Sequence, residues 1–307
     1  MTATDTQPKP GLASRFVNGV LAIKPLADFA KSRARQMMID RAEAIGVPWR
    51  DNVRNLRDRN WDEELKAITN PQLQYPDYYL TSFHAYEEGN LGWLPAWEVE
   101  SAAYAVHAKI WSDGSVGGDP QLRQSYHQIL QEKLAIQPQT ILDLGCGVGM
   151  STTALQEIYP QAQVTGLDLS PYFLAVAQYR AQKQQQQQLN WVHGAAESTG
   201  LGDNSFDLVS ACLMFHELPE TAAKEIMLEA RRLLKPGGYF TVMDMNPRSQ
   251  VFLKMPPYVL TLLKSTEPYL DQYFALDFAR FLADAGFSDI SITVNSPRHR
   301  TIIARWD

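Results

Sequence analysis

Ile141-Leu-Asp-Leu-Gly-Cys-Gly-Val-Gly-Met150 is the segment from which the rest of the chain can be read. An apolar run carrying one acid passes straight into three glycines at alternate positions. A buried strand looks like this when it ends in a loop whose backbone a ligand can approach.

Downstream, strand and helix patterns alternate. Strands are expected at 141–144, 164–169, 190–193, 206–213, 239–245, 290–294 and 301–305, with helices including 151–158, 171–186 and 219–234. The alternation predicts an α/β fold, a Rossmann-like, doubly wound and mainly parallel seven-stranded sheet with helices on both faces. The glutamines at 184–188 read as a surface extension at a helix end. The long connection 249–270 carries Phe252, Met255, Tyr258, Val259, Leu262 and Leu263. It reads as either a lid or substrate wall at the strand's exit, or a helix that fills the core.

Upstream, residues 1–12 have little to bury and are expected to be disordered. Lys24-Pro25 opens a helix whose apolar residues include Leu26, Phe29, Met37 and Ile45, and Gly46 and Pro48 close it. The stretch 78–93 is dense in aromatic and polar groups, a composition suited to lining a binding site or to packing as an aromatic loop. A helix at 95–111 and a glycine-rich break at 114–118 follow. The domain boundary is placed there, giving a mostly helical N-terminal cap at 1–118 and a ligand-binding domain at 119–307 that begins with a helix at Asp119-Pro120.

The totals set outer limits. A chain of 307 residues with 45% apolar content can build a full core. No run approaches the roughly 18 apolar residues of a membrane span, and the polar opening lacks a signal peptide's regions, so a cytoplasmic address is expected. A net charge of −6 argues against general nucleic-acid binding. Residues 24–59 are locally basic, with nine Lys/Arg against five Asp/Glu, or 9 − 5 = +4. This helix is either a solvated surface or a peripheral contact with an anionic membrane. Two cysteines and six scattered histidines show no metal-ligand spacing, and no structural metal is expected.

In a doubly wound sheet the ligand crevice lies beyond the C-terminal ends of the strands, near the switch in strand order. That rule gathers the glycine loop at 145–149, Asp168 at the end of the second strand, 194–197 after the third, and 212–217 after the fourth. Nicotinamide dinucleotides use a similar glycine loop and distant acid. Their fingerprint, however, wants a small residue at 150, where this chain has Met150, and Asp143 is awkward beside a pyrophosphate but favourable beside a cationic ligand.

The residues resemble the class I S-adenosylmethionine-dependent methyltransferases, in particular the ubiquinone/menaquinone C-methyltransferase-like branch that acts on small molecules. The resemblance rests on Asp143-Leu-Gly-Cys-Gly-Val-Gly149, Gly166-Leu-Asp-Leu-Ser170, Asn204-Ser-Phe-Asp-Leu-Val209, Leu234-Lys-Pro-Gly-Gly238 and Leu282-Ala-Asp-Ala-Gly-Phe287, and covers about residues 120–307. It implies S-adenosyl-L-methionine as cofactor and S-adenosyl-L-homocysteine as product. Asp143, Gly145 and Gly147 would meet the methionine end, Asp168 the ribose, and Ala196 and Glu197 the adenine, with Cys146, Gly149, Leu169 and Leu213 completing the cofactor set. Ala195 departs from the family, which often has an acid there. Cys146 reads as a small loop residue rather than a nucleophile.

Methyl transfer from a sulfonium is an in-line displacement, so positioning and exclusion of water carry much of the catalysis. His216 and Glu217, after the fourth strand, are the candidates to contact or deprotonate the acceptor. His84, Tyr86, Phe215 and Tyr258 are candidates to line its site. The expected activity is methylation of an oxygen or carbon of a small, apolar or aromatic metabolite. Alternatives are a peripheral membrane enzyme acting on a quinone or lipid, a non-catalytic cofactor-binding scaffold and, least favoured, a nicotinamide-linked oxidoreductase. The Asn/Asp-Pro-Pro-Tyr/Phe motif of enzymes that methylate bases and amides is absent at the fourth strand, and the sequence leaves the oligomeric state open.

Overall fold

The computed structural model describes residues 24–84, 86–186 and 188–307. The tail expected at 1–12 lies outside the described residues. Seven strands form one sheet: β1 (Thr140–Leu144), β2 (Gln163–Asp168), β3 (Asn190–His193), β4 (Phe206–Cys212), β5 (Leu234–Met245), β6 (Ser288–Val294) and β7 (His299–Arg305). Their order is β3-β2-β1-β4-β5-β7-β6. The first five run parallel, and β7 lies antiparallel between β5 and β6. All seven strands expected from the sequence are present, displaced by a few residues at most except β5, whose start moves back from 239 to Leu234.

The core explains the sequence pattern. Side chains alternate across a strand, so Ile141 of β1 joins one apolar cluster and Leu142 the other. One face buries Ile141, Val164, Leu208 and Met243 under α5 (Gly118–Lys133) and α6 (Met150–Ile158). The other face buries Leu142, Val209 and Val242 under α8 (Glu220–Leu233) and α12 (Phe278–Asp284). Covered on both sides, the central strands are mostly apolar, with a few buried polar side chains such as Asp143, Ser210 and Thr241. The edge strand β6 instead leaves Ile292 and Val294 exposed. Tyr126 of α5 is fully buried, and its hydroxyl meets Ser210 Oγ at 2.9 Å and Thr241 Oγ1 at 2.7 Å, tying the helix to β4 and β5. Each such bond contributes about 1 kcal/mol, and orphaning either hydroxyl would cost more.

The cap consists of α1 (Lys24–Ala44), α2 (Trp49–Arg57), α3 (Asp62–Ile68), a 3₁₀ turn at Asp77–Leu80 and α4 (Trp93–His107). The α1 helix forms as expected, and Ile45 just beyond it packs on the buried cluster, but Phe29 and Met37 do not. Ile39 and Ala42 pack with Val47, Trp49 and Ala105, whereas Phe29 and Met37 are 66% and 59% exposed. Met37 stands two residues, about 200° of helical rotation, from Ile39, so one face cannot hold both. Much of the local positive charge is consumed in ion pairs, including Arg35 with Glu98, Arg50 with Asp40 and Glu43, and Arg59 with Glu64. The Glu98 carboxylate is fully buried, accepting bonds from Arg35, from Trp49 Nε1 at 3.2 Å and from the Tyr86 hydroxyl at 2.5 Å. It thereby knots α1, α2, the turn at Tyr86 and α4 together.

The cap shares a continuous interface with the sheet domain. Trp61 packs edge-on against Tyr179 of α7 (Pro171–Lys183), and Arg180 pairs with Glu100. The connection after β5 forms α9 (Gln250–Leu253), α10 (Pro257–Thr266) and α11 (Leu270–Ala275). α10 has no fully buried residue and reaches the core only at its edge, through Leu263, so it is not the core-filling helix of the two readings. Strand order reverses between β1 and β4, which places the crevice at their C-terminal ends.

Candidate active site

The glycine loop closes onto Asp168. Gly147 N–H donates to Asp168 Oδ2 at 2.7 Å and Ser170 N–H to Oδ1 at 2.8 Å. Burial lifts the Asp168 carboxyl to about 6, even though both N–H groups pull it down. At Gly147 (φ +54°) a Cβ would find only Phe173, 3.9 Å away, so this backbone is open to a ligand. Gly149 (φ +81°) has a packing reason as well, because a Cβ would lie 2.6 Å from the Trp191 ring. Asp143 is fully buried. Its Oδ2 accepts from Ser151 Oγ at 2.6 Å and Thr152 Oγ1 at 2.7 Å, while its Oδ1 has no partner. Burial lifts this carboxyl to about 6 as well, against the opposing effect of the two hydroxyls and Arg123.

The cap lies across the ends of β2 and β3. Tyr79 packs on Leu169 and Ala195. The Tyr78 hydroxyl donates to Glu197 Oε1 at 2.9 Å, leaving Oε2 buried and unpartnered. Asn70 N–H and the Tyr75 hydroxyl meet the two ring nitrogens of His193, and Ser170 Oγ donates to the Asn90 carbonyl. The aromatic stretch therefore covers the strand ends.

A second group of polar side chains adjoins the loop. His216 and Glu217 sit on a 3₁₀ turn, Phe215–Glu217, directly after β4. The His216 ring binds Asp244 Oδ1 through Nδ1 at 2.8 Å, and its backbone N–H donates to Oδ2 at 3.2 Å. Burial alone would lower the His216 pKa, but Asp244, backed by Glu267 and Glu217, carries it up to about 9. His84 Nε2 lies 3.1 Å from Glu267 Oε1 and 3.4 Å from Glu217 Oε1. Asn90 Nδ2 donates to the other Glu217 oxygen at 3.2 Å. Tyr79 stands between the two groups: burial chiefly, then Asp168 and Glu217, raise its hydroxyl's pKa.

The family profile of the methyltransferase domain matches residues 142–242. An uncharacterized methyltransferase of Synechocystis sp. is 35% identical over 57% of this chain and 77% of its own length. The chain belongs to the class I S-adenosylmethionine-dependent methyltransferases. A demethylmenaquinone methyltransferase of a Geobacillus species is 29% identical, over 49% of this methyltransferase and 71% of that protein. A solved structure from Nostoc punctiforme shares the fold at a TM-score of 0.50 and 21% identity, covering 66% of this chain and 60% of that one.

The residues of this methyltransferase fit the family's cofactor. Asp143 Oδ1 and Glu197 Oε2 are buried acceptors awaiting donors, and a cationic ammonium and an adenine amine are donors of the right kind. The structure brings together Asp143, Gly145, Cys146, Gly147, Gly149, Asp168, Leu169, Ala196, Glu197 and Leu213 around the strand ends. Burial pushes the Cys146 thiol well up, which suits a packing residue. His84, His216 and Glu217 also converge.

Two positions read as substrate-lining, Phe215 and Tyr86, go elsewhere. Phe215 is fully buried in the core against Phe240 and Phe278, because the turn after β4 directs it inward. Tyr86 is held by Glu98 in the cap, and Tyr258 remains half exposed on α10. Several functional candidates were missed: Tyr79, Asn90, Arg123, Asp244 and Glu267. Asp244 nearly ends β5 at the same edge of the sheet, so the strand-end rule could have found it. Tyr79 and Asn90 lie within the aromatic stretch 78–93, and nothing in the sequence marks Arg123 and Glu267. The Arg123 guanidinium lies 2.9 Å from Asp119 and 3.6 Å from Cys212 Sγ at the end of β4.

Proposed function

We propose that this methyltransferase transfers a methyl group to an oxygen or carbon of a small apolar or aromatic acceptor lying at His84, His216 and Glu217. The observation that carries the reading is the buried His216–Asp244 pair, placed beside Glu217 at the crevice end that adjoins the glycine loop. Asp143 and the backbone at Gly145 and Gly147 would hold the methionine end of the cofactor, Asp168 the ribose, and Leu169, Ala196 and Glu197 the adenine. When bound, S-adenosylmethionine supplies an electrophilic methyl on sulfur and leaves as S-adenosylhomocysteine. The acceptor atom must offer an electron pair, so an O–H or acidic C–H there has to lose its proton. Asp244 fixes the orientation of His216 and keeps its ring protonated up to about pH 9, so Glu217 is placed to receive the proton at neutral pH and the neutral ring above that range. The cap's aromatic side chains keep water out of the crevice.

Purified protein given methyl-labelled S-adenosylmethionine and a metabolite extract is expected to pass label to an apolar or aromatic small molecule. Label that stays in the cofactor, despite cofactor binding, would overturn the reading.

A second reading concerns where the acceptor comes from. Phe29 and Met37 are exposed on the basic α1, and Leu253, Tyr258 and Leu262 on α9 and α10. These surfaces support peripheral contact with an anionic membrane and a quinone or lipid acceptor, in keeping with the demethylmenaquinone named for one relative. No described helix is long and apolar enough to cross a membrane. Anionic vesicles should pellet the wild-type chain several-fold more than a Phe29→Glu/Met37→Glu variant, whereas equal pelleting would remove α1 from the contact.

A further inference from the structure

We propose that His84, His216, Glu217 and Glu267 form a binding site for a divalent first-row transition-metal ion. One donor atom each from His84, His216 and Glu217 lie within 4.8 Å of one another. Glu267 lies outside that set and meets it through His84, at 3.1 Å, and His84 itself lies 3.4 Å from Glu217. Donors sharing one ion, each about 2.1 Å from it, stand about 3.0–3.4 Å apart in octahedral or tetrahedral arrangements. The His84–Glu217 separation of 3.4 Å and the His84–Glu267 separation of 3.1 Å match that spacing, and His216 lies within 4.8 Å of His84 and Glu217.

Three further features distinguish the cluster from an ordinary ion-pair network. Asp244 holds Nδ1 of His216, which leaves Nε2 as the free nitrogen, and carboxylate support of this kind orients metal-bound histidines. Asn90 anchors one oxygen of Glu217 and leaves the other toward His84. Glu267 is 5% exposed, and its Oε2 is buried with no hydrogen-bond partner. An orphaned buried carboxylate oxygen is costly, and an ion between the cap and the sheet would satisfy it. Among the described residues, neither Glu217 nor Glu267 has a Lys or Arg within ion-pair distance. The side chain of His84 is 37% exposed and provides a route in from solvent.

Two imidazoles and two carboxylates suit zinc(II), iron(II) or manganese(II) better than calcium or magnesium. No local spacing announces the site, because its ligands come from the cap, the turn after β4 and the end of α10. Binding of the ion needs only these donors. Its use in the reaction, where it would lower the pKa of an acceptor hydroxyl that ligates it so that solvent takes the proton in place of the ligated His216 and Glu217, rests on the function proposed above.

The full-length chain, stripped with a chelator and dialysed, is titrated with zinc(II) and, for its visible spectrum, cobalt(II). One zinc ion per chain is expected, together with cobalt absorption bands that report imidazole and carboxylate ligation. His84→Gln, on the partly exposed cap side, and Glu267→Gln should each weaken zinc binding by about tenfold or more, and Asp244→Asn by roughly 10- to 100-fold through loss of His216 orientation. Circular dichroism verifies that each variant is folded. Absence of stoichiometric zinc, or affinity unmoved by both His84→Gln and Glu267→Gln, would overturn the site. S-adenosylmethionine binding is measured on the same samples, so loss of the metal site and loss of the methyltransferase reading would be told apart.

Discussion

Replacing Asp168 with alanine is expected to weaken S-adenosylmethionine binding by about 100-fold. Two ribose hydroxyls donating to an ionised carboxylate contribute at least about 1.5 kcal/mol each, and a loss of about 3 kcal/mol corresponds to roughly two decades in Kd. The same carboxylate holds Gly147 N–H and Ser170 N–H, so its removal also loosens the loop that meets the ligand. Calorimetric titration measures the change, and an unchanged affinity would displace the ribose from Asp168.

The pH profile of that titration follows from the same group. Burial places the free Asp168 carboxyl at about 6, with Asp143 close beside it. Donors from the ligand favour the ionised form, so bound values lie below the free ones. Affinity should be flat above about pH 6 and fall as the pH drops through it. The fall is at most about tenfold per unit for each carboxylate that must ionise. Asp168→Asn should show a shallower fall, because only Asp143 then titrates. For stability the sign is opposite: a raised carboxyl makes the folded state hold its proton more tightly. Its destabilising contribution is full above about 6 and is relieved as the pH falls toward the unfolded value.

His216→Ala is expected to lower turnover by about 10²- to 10⁴-fold, the usual range for a positioned proton-transfer group, while cofactor affinity is retained. Initial rates of S-adenosylhomocysteine formation give the first quantity and calorimetry the second. The backbone N–H of His216 also bonds Asp244, so the turn should survive loss of the ring. His216→Gln, which keeps a polar side chain without a titrating ring, provides a second reading. Wild-type turnover in both variants would make His216 a packing residue.

The number and spacing of strands were legible because a sheet buried on both faces demands long apolar runs, which stand out between helical patterns. Asp143 and Asp168 were legible for a related reason, since an acid inside or at the end of such a run is conspicuous. The cap was read less well. Phe29 and Met37 belong to a helix whose buried face is chosen by Trp49 and Ala105, and nothing in α1 itself specifies those partners. Phe215 was misplaced because adjacency to a site in sequence does not determine which way a side chain points. Tyr86 was misplaced because its partner, Glu98, lies on α4, beyond the turn that carries the tyrosine.

The sequence alone thus determined the α/β architecture, the methyltransferase motifs and the glycine loop with its two acids, because each of these is written within a few neighbouring residues by strand periodicity and loop chemistry. Only the tertiary structure decided that Tyr79 would cover Leu169 and Ala195, that Asp244 would orient His216, and that His84 and Glu267 would meet across the cap. Those contacts join residues separated by tens to nearly two hundred positions. Their geometry comes from the packing of whole elements, and no local pattern of side chains encodes it.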